Sequence, residues 1–476
     1  MLLPGLANHT LSHLNSPAGR LRVKKRMLFR SNTESMLFAS RNSDENLGRR
    51  AAVAVDGGEF IREVLKLAEH AAENSKLLKP KKAKSLDVYW NERETLGNLP
   101  EAREGGSMVS IGRRVFLFGG LSRGLFNDVR MLRLDSSTWS TMFTVEGEQP
   151  PDARTGHIMV PYKQKFIVYG GCGSFDKTLR IRQCFSRVHI FDTGIPYAER
   201  SCWQTTKPSG EQPEARRNHA GVIMGTSVVI YGGINSNGKY LDDLQILNID
   251  TNSWLQPKVT SEGLKPGKLA YFTMTAVYPA AMRNAYNYDI FHLPEMRDEV
   301  FNGKNSGIYL FGGIDRNNKV KNTVFVLKIK RFKATSDGLL RWVQLNPAGT
   351  PPQARYAHTA AVVTKYLIII GGRTDEMTAL GGYDVTEVAA LNLENNTWET
   401  VNIKGEYPGG RWSACSTCIG SSLLYFGGMR LEKYSRAKTW IMETDPYNVS
   451  MLMARDAETL IAEKLPKQIK RKQKVS

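Results

Sequence analysis

The sequence predicts an all-β protein in which six copies of a small four-stranded sheet form a closed ring. Six pairs of adjacent glycines recur 51 to 80 residues apart, and each pair ends a short apolar run. Runs of this length, rich in β-branched and aromatic residues, are typical of a strand that is buried on both faces. Because one small sheet cannot bury both of its faces alone, such a repeat needs a neighbour on each side, as in a β-propeller.

The glycine pairs mark the second strand of each predicted blade. They are Gly119-Gly120, Gly170-Gly171, Gly232-Gly233, Gly312-Gly313, Gly371-Gly372 and Gly427-Gly428, and they follow the runs VFLF, FIVY, VVIY, IYLF, LIII and LLYF. A glycine at the end of a strand permits a backbone conformation and a close approach that a side chain would block.

Arginine and tryptophan keep a fixed register with these pairs. An arginine stands sixteen residues before the first glycine of five pairs, and a tryptophan stands thirteen residues before four of those arginines. The arginines are Arg103, Arg154, Arg216, Arg355 and Arg411. The tryptophans are Trp90, Trp203, Trp342 and Trp398, with Trp139 displaced by two positions.

This register resembles the kelch family, whose blade reads as a proline-rich turn, an arginine, strand a, strand b ending in Gly-Gly, strand c and a tryptophan on strand d. The turn is seen here as PPDARTGH at 150–157 and PPQARYAH at 351–358. The resemblance covers roughly residues 87–445 and implies a six-bladed kelch β-propeller. It implies little about activity, because propellers carry many unrelated functions.

Two blades depart from the pattern. In blade 4 we expect Lys268 to replace the arginine, and its wide spacing from Gly312 places an insertion at 280–307 in the a–b loop. Blade 6 ends early, since Trp440 falls within the expected strand c and no later tryptophan marks strand d. Trp90 has no blade before it, so we predict that the N-terminal segment near 86–91 completes blade 6 and removes both open sheet edges.

The predicted domains follow from these boundaries. Residues 1–84 form a basic N-terminal extension with one amphipathic helix near 59–79, residues 85–445 form the propeller, and residues 446–476 form a helix and a basic tail. The helix is expected at 451–465. The first 33 residues contain no acid, which suits a mitochondrial transit peptide, but their scattered Gly, Pro, Asn and His favour a disordered basic arm.

Composition favours a soluble cytoplasmic protein, with the cytoskeleton and the mitochondrion as alternative locations. Five cysteines are few and odd in number, which argues against a disulfide framework. No apolar run reaches the 18 or so residues that a membrane helix needs.

Candidate chemical sites have simpler structural interpretations. His157, His219 and His358 recur at one position in three blades, where a blade-packing role is favoured over a metal ring. Cys415 and Cys418 form a Cys-x-x-Cys in a strand rather than at a helix N-terminus, so we interpret them as buried small residues. No nucleotide-binding, hydrolase or metalloprotease motif is present, and we find no equivalent of the ligand set of kelch copper oxidases. We therefore predict no enzyme activity, no cofactor and no metal.

The predicted function is a non-enzymatic interaction or scaffold protein. Antiparallel strands place the b–c and d–a loops on one face of the ring and the a–b and c–d loops on the other. On the first face, the b–c loops of blades 6, 1 and 2 carry net charges of +3, 0 and +3, against −1, +2 and −3 in blades 3, 4 and 5. Clustered like charges do not help folding, so we expect this sector to bind an acidic peptide or a C-terminal carboxylate. The predicted binding residues are Arg123, Phe126, Phe175, Lys177, Arg180, Arg182, Arg430, Lys433, Tyr434 and Arg436.

The basic tails and the C-terminal helix suggest two further partners. The tails carry +12 of the net +19 charge and suggest attachment to an acidic polymer such as tubulin tails or nucleic acid. Alternatively, Met453, Ala457 and Ile461 match the spacing of the elongin-docking helix in kelch-type substrate receptors of cullin ubiquitin ligases, although Leu452 departs from that pattern. A helix that only caps the propeller is favoured over this alternative.

Overall fold

A computed structural model describes residues 85–454, apart from 145–146, 195–200, 256, 260–263, 279–304, 330–338, 377–382 and 436. The chain divides into two compact units, Met1–Lys81 and Lys82–Ser476, and the described residues all belong to the second. The predicted N-terminal extension with its helix, the body of the blade 4 insertion and the basic C-terminal tail lie outside the described residues.

The described strands form six blades of four antiparallel strands, named a to d from the centre of the ring outward. Blade 1 contains Ser107–Ile111, Arg114–Phe118, Val129–Arg133 and Thr138–Met142. Blade 2 contains Thr155–Tyr162, Lys165–Asp176, Val188–Asp192 and Cys202–Thr206. Blade 3 contains Ala220–Met224, Ser227–Tyr231, Leu244–Asn248 and Ser253–Leu255. Blade 4 contains Thr273–Val277, Gly307–Phe311, Val324–Ile329 and Leu339–Leu345. Blade 5 contains Thr359–Val363, Tyr366–Ile370, Val388–Asn392 and Thr397–Gly405. Blade 6 contains Cys415–Ile419, Ser422–Phe426, Thr439–Glu443 and Ser85–Arg93.

Short strands add to this frame in the loops. They are Leu96–Gly97, Ile181–Cys184, Lys258–Val259, Leu269–Ala270, Ile314–Asp315, Met429–Arg430 and Lys433–Tyr434.

The ring is closed by the N-terminal strand, as predicted. Ser85–Arg93 pairs antiparallel with strand c of blade 6, where Trp90 lies opposite Met442. The same strand runs parallel to strand d of blade 5. Trp440 lies in strand c, which explains why its spacing from the glycine pair is short. One strand therefore joins the last two blades and leaves strand c of blade 6 without an open edge.

The hydrophobic core of the described residues lies between the blades. Each pair of neighbouring blades encloses one cluster of buried side chains. In blade 1, Phe116 and Phe118 of strand b face blade 2, whereas Val115 and Leu117 face blade 6. This arrangement explains the unbroken apolar runs, because alternate side chains of one strand enter two different cores.

The structure corrects the sequence assignment of the arginine position in blade 4. The arginine position is held by Leu269, not by the exposed Lys268. The backbone N–H of Gly233 donates to the carbonyl of Leu269 in the way that Gly171 donates to Arg216. Strand a of blade 4 ends at Val277 and pairs with strand b, which begins at Gly307.

A helix follows blade 6 and begins at residue 446, five residues earlier than the sequence pattern indicated. The carboxylate of Asp445 accepts hydrogen bonds from the backbone N–H groups of Tyr447 at 3.0 Å and Asn448 at 3.2 Å. Pro446 occupies the first helical position, where a missing N–H has no cost. In the part of the chain described, no helix is long and apolar enough to cross a membrane.

Candidate protein-binding face

The first face carries the b–c and d–a loops, and one repeated contact holds these loops together. In five blades the arginine before strand a donates a hydrogen bond to the carbonyl of the first glycine of the pair, at 3.0 to 3.3 Å. In blade 1, Arg103 also forms a bidentate pair with Asp128, at 2.6 and 3.1 Å. The buried arginine therefore links the d–a loop to the b–c loop of its own blade.

A ring of backbone hydrogen bonds surrounds the mouth of the central channel. One residue per blade donates its N–H to the carbonyl of the equivalent residue in the preceding blade, at 2.7 to 3.0 Å. These residues are Gly105, Gly156, Asn218, Tyr271, Ala357 and Ser413, and all have positive φ angles. The cycle returns from Gly105 to Ser413, so the d–a loops of all six blades are fixed relative to one another.

A hairpin projects from blade 2. Strand b continues to Asp176 and pairs with Ile181–Cys184, which places Phe175 opposite Arg182. The carboxylate of Asp176 caps the turn by accepting the N–H groups of Thr178 and Leu179. The Leu179 side chain is 64% exposed at the tip.

A second, shorter hairpin projects from blade 6 and contacts both neighbouring blades. It pairs Met429–Arg430 with Lys433–Tyr434. Glu432 at its turn forms an ion pair with Arg373 of blade 5 at 2.7 Å. On the other side, the hydroxyl of Tyr434 donates to the carbonyl of Ser122 in blade 1, at 3.0 Å. These contacts hold the hairpin beside the b–c loop of blade 1.

Glu104 in the d–a loop of blade 1 lies between the two hairpins. Burial raises the pKa of Glu104 to about 7; Arg182 of the blade 2 hairpin opposes the rise and Glu432 of the blade 6 hairpin adds to it. Because blades 2 and 6 are the two neighbours of blade 1 in the ring, their hairpins flank the b–c loop of blade 1. We name the surface between them, over Glu104 and loop 121–128, the blade 1 groove.

The described members of the predicted binding set lie on the two hairpins and on loop 121–128, but the Arg430 guanidinium lies against Gly409 in the d–a loop of blade 6. Arg123, Lys177, Arg180, Arg430 and Lys433 are exposed, and Phe175 and Tyr434 keep 49% and 37% of their surface exposed. Phe126 instead covers the Arg103 guanidinium, 3.9 Å from its ring centre, and so has a packing role within blade 1. Arg436 lies outside the described residues.

Several polar and aromatic residues at the channel mouth were not identified from the sequence. They are Glu104, Arg217, Tyr271, Tyr356, Arg373 and Trp412. The rings of Tyr271 and Tyr356 meet edge to face at 5.9 Å, and the Arg373 guanidinium lies 5.1 Å from the Trp412 ring centre. A positional signal exists, because Glu104, Arg217, Tyr356 and Trp412 each follow the repeated arginine and Arg373 follows a glycine pair.

The three repeated histidines pack between blades. Each imidazole lies against the first glycine of the pair in the preceding blade, so that a side chain on Gly119, Gly170 or Gly312 would strike it. In blade 4 this place is taken by Phe272, which lies against Gly232. Burial lowers the pKa of His157 and His358 to about 3 and that of His219 well below its usual value. A place that phenylalanine can fill is a packing position.

Cys415 and Cys418 point to opposite sides of strand a in blade 6. Cys415 belongs to the core shared with blade 1, and Cys418 packs on the core shared with blade 5. Burial raises the pKa of both thiols to about 12, which keeps them protonated. Among the described residues, no group of three or more His, Cys, Asp or Glu side chains is placed to hold a metal ion.

Below the mouth, the central channel is lined by strand a of all the blades and encloses a cavity of about 340 Å³. Its walls are mostly apolar, with Met108, Val160, Val222 and Met274 among them. Among the described residues, its lining contains no Asp, Glu, Lys, Arg or His.

Comparison with known proteins decides the family. The KLHDC2/KLHL20/DRC7 Kelch-repeats domain matches residues 82–282 and 292–457. The chain belongs to this kelch-repeat family. Kelch domain-containing protein 3 of Homo sapiens is 23% identical over 333 residues, covering 67% of this chain and 76% of its own length. Host cell factor of Drosophila melanogaster is 28% identical over 190 residues, or 37% of this chain and 12% of that protein.

Other kelch-repeat relatives are much longer than the matched region. Acyl-CoA-binding domain-containing protein 4 of Arabidopsis thaliana is 28% identical over 193 residues, which are 40% of this chain and 27% of that protein. The solved structure titled "Structure of YjhT" superposes with a TM-score of 0.50 at 16% identity, covering 71% of this chain and 95% of the other, and shows the fold alone.

Proposed function

We propose that the chain is a non-enzymatic interaction protein whose blade 1 groove binds an acidic segment of a partner protein. The observation that supports this is the pair of hairpins, which bring basic side chains from blades 2 and 6 to the two sides of blade 1. Lys177, Arg180 and Lys433 are exposed and form no ion pair with a described residue. Gathered like charges repel one another, so a ligand of opposite charge accounts for them better than folding does.

Apolar anchors accompany the charges. Phe175 and Leu179 of the blade 2 hairpin are 49% and 64% exposed, and Leu431 of the blade 6 hairpin is 60% exposed. Interfaces take most of their binding energy from a few large side chains surrounded by polar contacts. The groove therefore offers an acidic segment both attraction and specific contacts.

Charge reversal on the two hairpins tests the proposal. The double variant Lys177→Glu, Lys433→Glu should reduce capture of partners by the tagged full chain at least tenfold, because two attractive contacts become repulsive. Quantitative affinity purification from cells, scored by mass spectrometry, gives the readout. Both side chains are exposed, so the melting temperature should change by no more than a few degrees.

The matched control reverses two basic residues on the same face at the opposite side of the ring. Arg316 and Lys319 lie exposed in the b–c loop of blade 4. Arg316→Glu, Lys319→Glu changes the net charge equally and should leave partner capture intact. Equal loss in both variants would show that only overall charge matters, and full capture by the hairpin variant would remove the groove as the site.

The basic tails are proposed to add attachment to an acidic polymer such as tubulin or nucleic acid. They carry +12 of the net charge of +19. Contacts of this kind weaken steeply as salt is raised. Because salt also screens the exposed basic residues of the groove, polymer attachment is separated from groove binding by repeating the capture with a chain that lacks residues 1–84.

The elongin alternative rests on the helix after blade 6. Val449 is buried and Met453 is 43% exposed, so the described part of the helix has an inner and an outer side. Ala457 and Ile461 lie outside the described residues. Elongin and a cullin among the captured proteins, lost on removal of residues 451–476, would favour a ubiquitin-ligase substrate receptor over a scaffold.

A further inference from the structure

The residue just before strand c decides whether the buried arginine of a blade has a counter-ion. In blades 1, 3 and 5 this residue is Asp128, Asp243 or Glu387. Asp128 and Asp243 form ion pairs with the arginines of their blades at 2.6 and 2.7 Å, and Glu387 pairs with Arg355. Three blades thus pair the buried guanidinium with a carboxylate from their own b–c loop.

Blade 4 carries neither charge. Leu269 stands in place of the arginine, and Thr323 stands in place of the carboxylate. Blade 4 therefore lacks both the arginine and the carboxylate that blades 1, 3 and 5 have. This indicates that the carboxylate serves to neutralise the guanidinium.

Blade 2 breaks this rule. Arg154 is 1% exposed and donates to the carbonyls of Asp152 at 2.9 Å and Gly170 at 3.0 Å, with its guanidinium 4.3 Å from the Phe185 ring centre. The residue before strand c is Arg187, which is exposed and has the same sign of charge. No carboxylate among the described residues forms an ion pair with either arginine.

The other titratable groups described near Arg154 do not form an ion pair with it. Asp152 acts on Arg154 from beyond ion-pair distance. The exposed Glu148 accepts a hydrogen bond from the backbone N–H of Thr205, which lowers the pKa of Glu148, and Arg187 adds to that shift without forming an ion pair. Burial and Arg154 together lower the pKa of His189 to about 4, so this imidazole is neutral at pH 7. Burial likewise lowers the pKa of Arg154 itself to about 10.

Blade 6 is a different case. Arg411 also lacks a carboxylate partner among the described residues, but Lys438, at the counter-ion position, forms an ion pair with Glu92 of the N-terminal strand. The guanidinium of Arg411 lies 5.8 Å from the ring centre of Tyr425. Blade 2 is therefore the place where neither cation of the motif forms an ion pair with a carboxylate of the described chain.

We propose that blade 2 has an oxyanion site in which a carboxylate of an acidic partner polypeptide pairs with Arg154 and Arg187, in the place that Asp128 fills in blade 1. This proposal rests on the proposed function for the nature of the partner, but the site itself does not depend on the groove. The place is reachable from solvent, because the carboxylates that fill it in blades 1, 3 and 5 keep 21%, 37% and 47% of their side-chain surface exposed. A guanidinium fork matches the two oxygens of a carboxylate or phosphate.

Restoring the counter-ion tests the site. In Arg187→Asp the new carboxylate should pair with Arg154 as Asp128 pairs with Arg103, and raise the melting temperature of the full chain by about 3 °C. Arg187→Asn removes the charge of Arg187 without supplying an anion, and should give a clearly smaller rise. Arg316→Asp makes the same charge change in the b–c loop of blade 4 and corrects for the general effect of lowering the net charge.

Ligand titration supplies a second readout that needs no identified partner. Inorganic phosphate and a deca-glutamate peptide, each exchanged against chloride at constant ionic strength, should raise the melting temperature of the wild type saturably by about 1 °C or more. Arg187→Asp should lose this response, whereas Arg316→Asp should keep it. A response to phosphate alone would replace the carboxylate by a phosphate group as the ligand.

Two results would overturn the site. One is an Arg187→Asp protein no more stable than Arg187→Asn or Arg316→Asp. The other is an undiminished response of Arg187→Asp to both ligands. Because these measurements contain no partner protein, they stand even if the hairpin variant Lys177→Glu, Lys433→Glu captures partners normally, and the failure of one proposal is thereby distinguished from the failure of the other.

Discussion

At the scale of single residues, the repeat explains why polar side chains are buried in this protein. His157, His219 and His358 stand where Phe272 stands in blade 4, each against the first glycine of a neighbouring pair. The imidazoles are neutral in the folded state, because burial lowers each pKa below the ordinary value of 6.5. They therefore pack as neutral aromatic rings, and they lower the free energy of unfolding only at acid pH.

The lowered pKa values of the three histidines predict a loss of folding stability at acid pH. The folded pKa values lie below 6.5, so the unfolded chain binds more protons than the folded chain once the pH falls below 6.5. Stability should decline from about pH 6.5 toward pH 3. His219→Phe, which copies blade 4, should remove about one proton from this difference and lower the slope of unfolding free energy against pH by roughly 1.4 kcal/mol per pH unit near pH 5.

Urea unfolding at pH 7.5, 6.5 and 5 measures that slope. Glu104, whose folded pKa is raised to about 7, acts in the opposite direction, but it is common to both proteins and cancels in the difference. An unchanged slope in His219→Phe would mean that this imidazole is already charged in the folded protein.

At the scale of strands, the ring depends on Ser85–Arg93. Trp90 is fully buried, with its ring 5.3 Å from that of Tyr407 and 5.7 Å from that of Tyr425. The strand pairs with blade 5 on one side and with strand c of blade 6 on the other. Its removal would open two sheet edges at once.

Two truncations separate this strand from the extension that precedes it. Deleting residues 1–84 should leave a cooperative unfolding transition at nearly the full-length temperature, whereas deleting residues 1–95 should abolish it or lower it by tens of degrees. Differential scanning calorimetry is the measurement. Equal melting temperatures for the two truncations would refute closure by this strand.

A point variant keeps the test decisive if the longer truncation gives no folded protein. Trp90→Ala should cost about 3–5 kcal/mol, the usual cost of removing a large buried aromatic side chain. Trp398→Ala makes the same change on strand d of blade 5, within a blade formed by continuous sequence, and should cost about as much.

The strands of the propeller could be predicted from the sequence more fully than its loops. Strand positions and ring closure were predictable, because the glycine pairs, arginines and tryptophans mark positions that every blade must fill. The hairpins were not, since residues such as Lys177 and Lys433 lie in exposed loops whose pairing follows no apolar alternation. The Asp128–Arg103 pair was missed because it joins loops 25 residues apart. The arginine position of blade 4 was assigned to Lys268 and not to Leu269, because an apolar residue at that position carries no charge that would identify it.

At the scale of the whole ring, closure brings the most distant parts of the sequence together. Tyr434 of blade 6 bonds to Ser122 of blade 1, 312 residues away in the chain. Arg182 of blade 2 and Glu432 of blade 6 both affect the pKa of Glu104 in blade 1. The recognition proposed for the groove therefore depends on the closed propeller and on no single blade.

Site-specific photo-cross-linking on the full chain tests recognition by the groove most directly. A photoreactive residue at Leu179 or Leu431, the exposed tips of the two hairpins, should cross-link the same captured partner. The matched positions are Asn317 in the b–c loop of blade 4 and Lys163 in the a–b turn of blade 2, both exposed. We expect strong cross-links from both hairpins and little from the two controls. Equal or stronger cross-linking from Asn317 or Lys163 would contradict it.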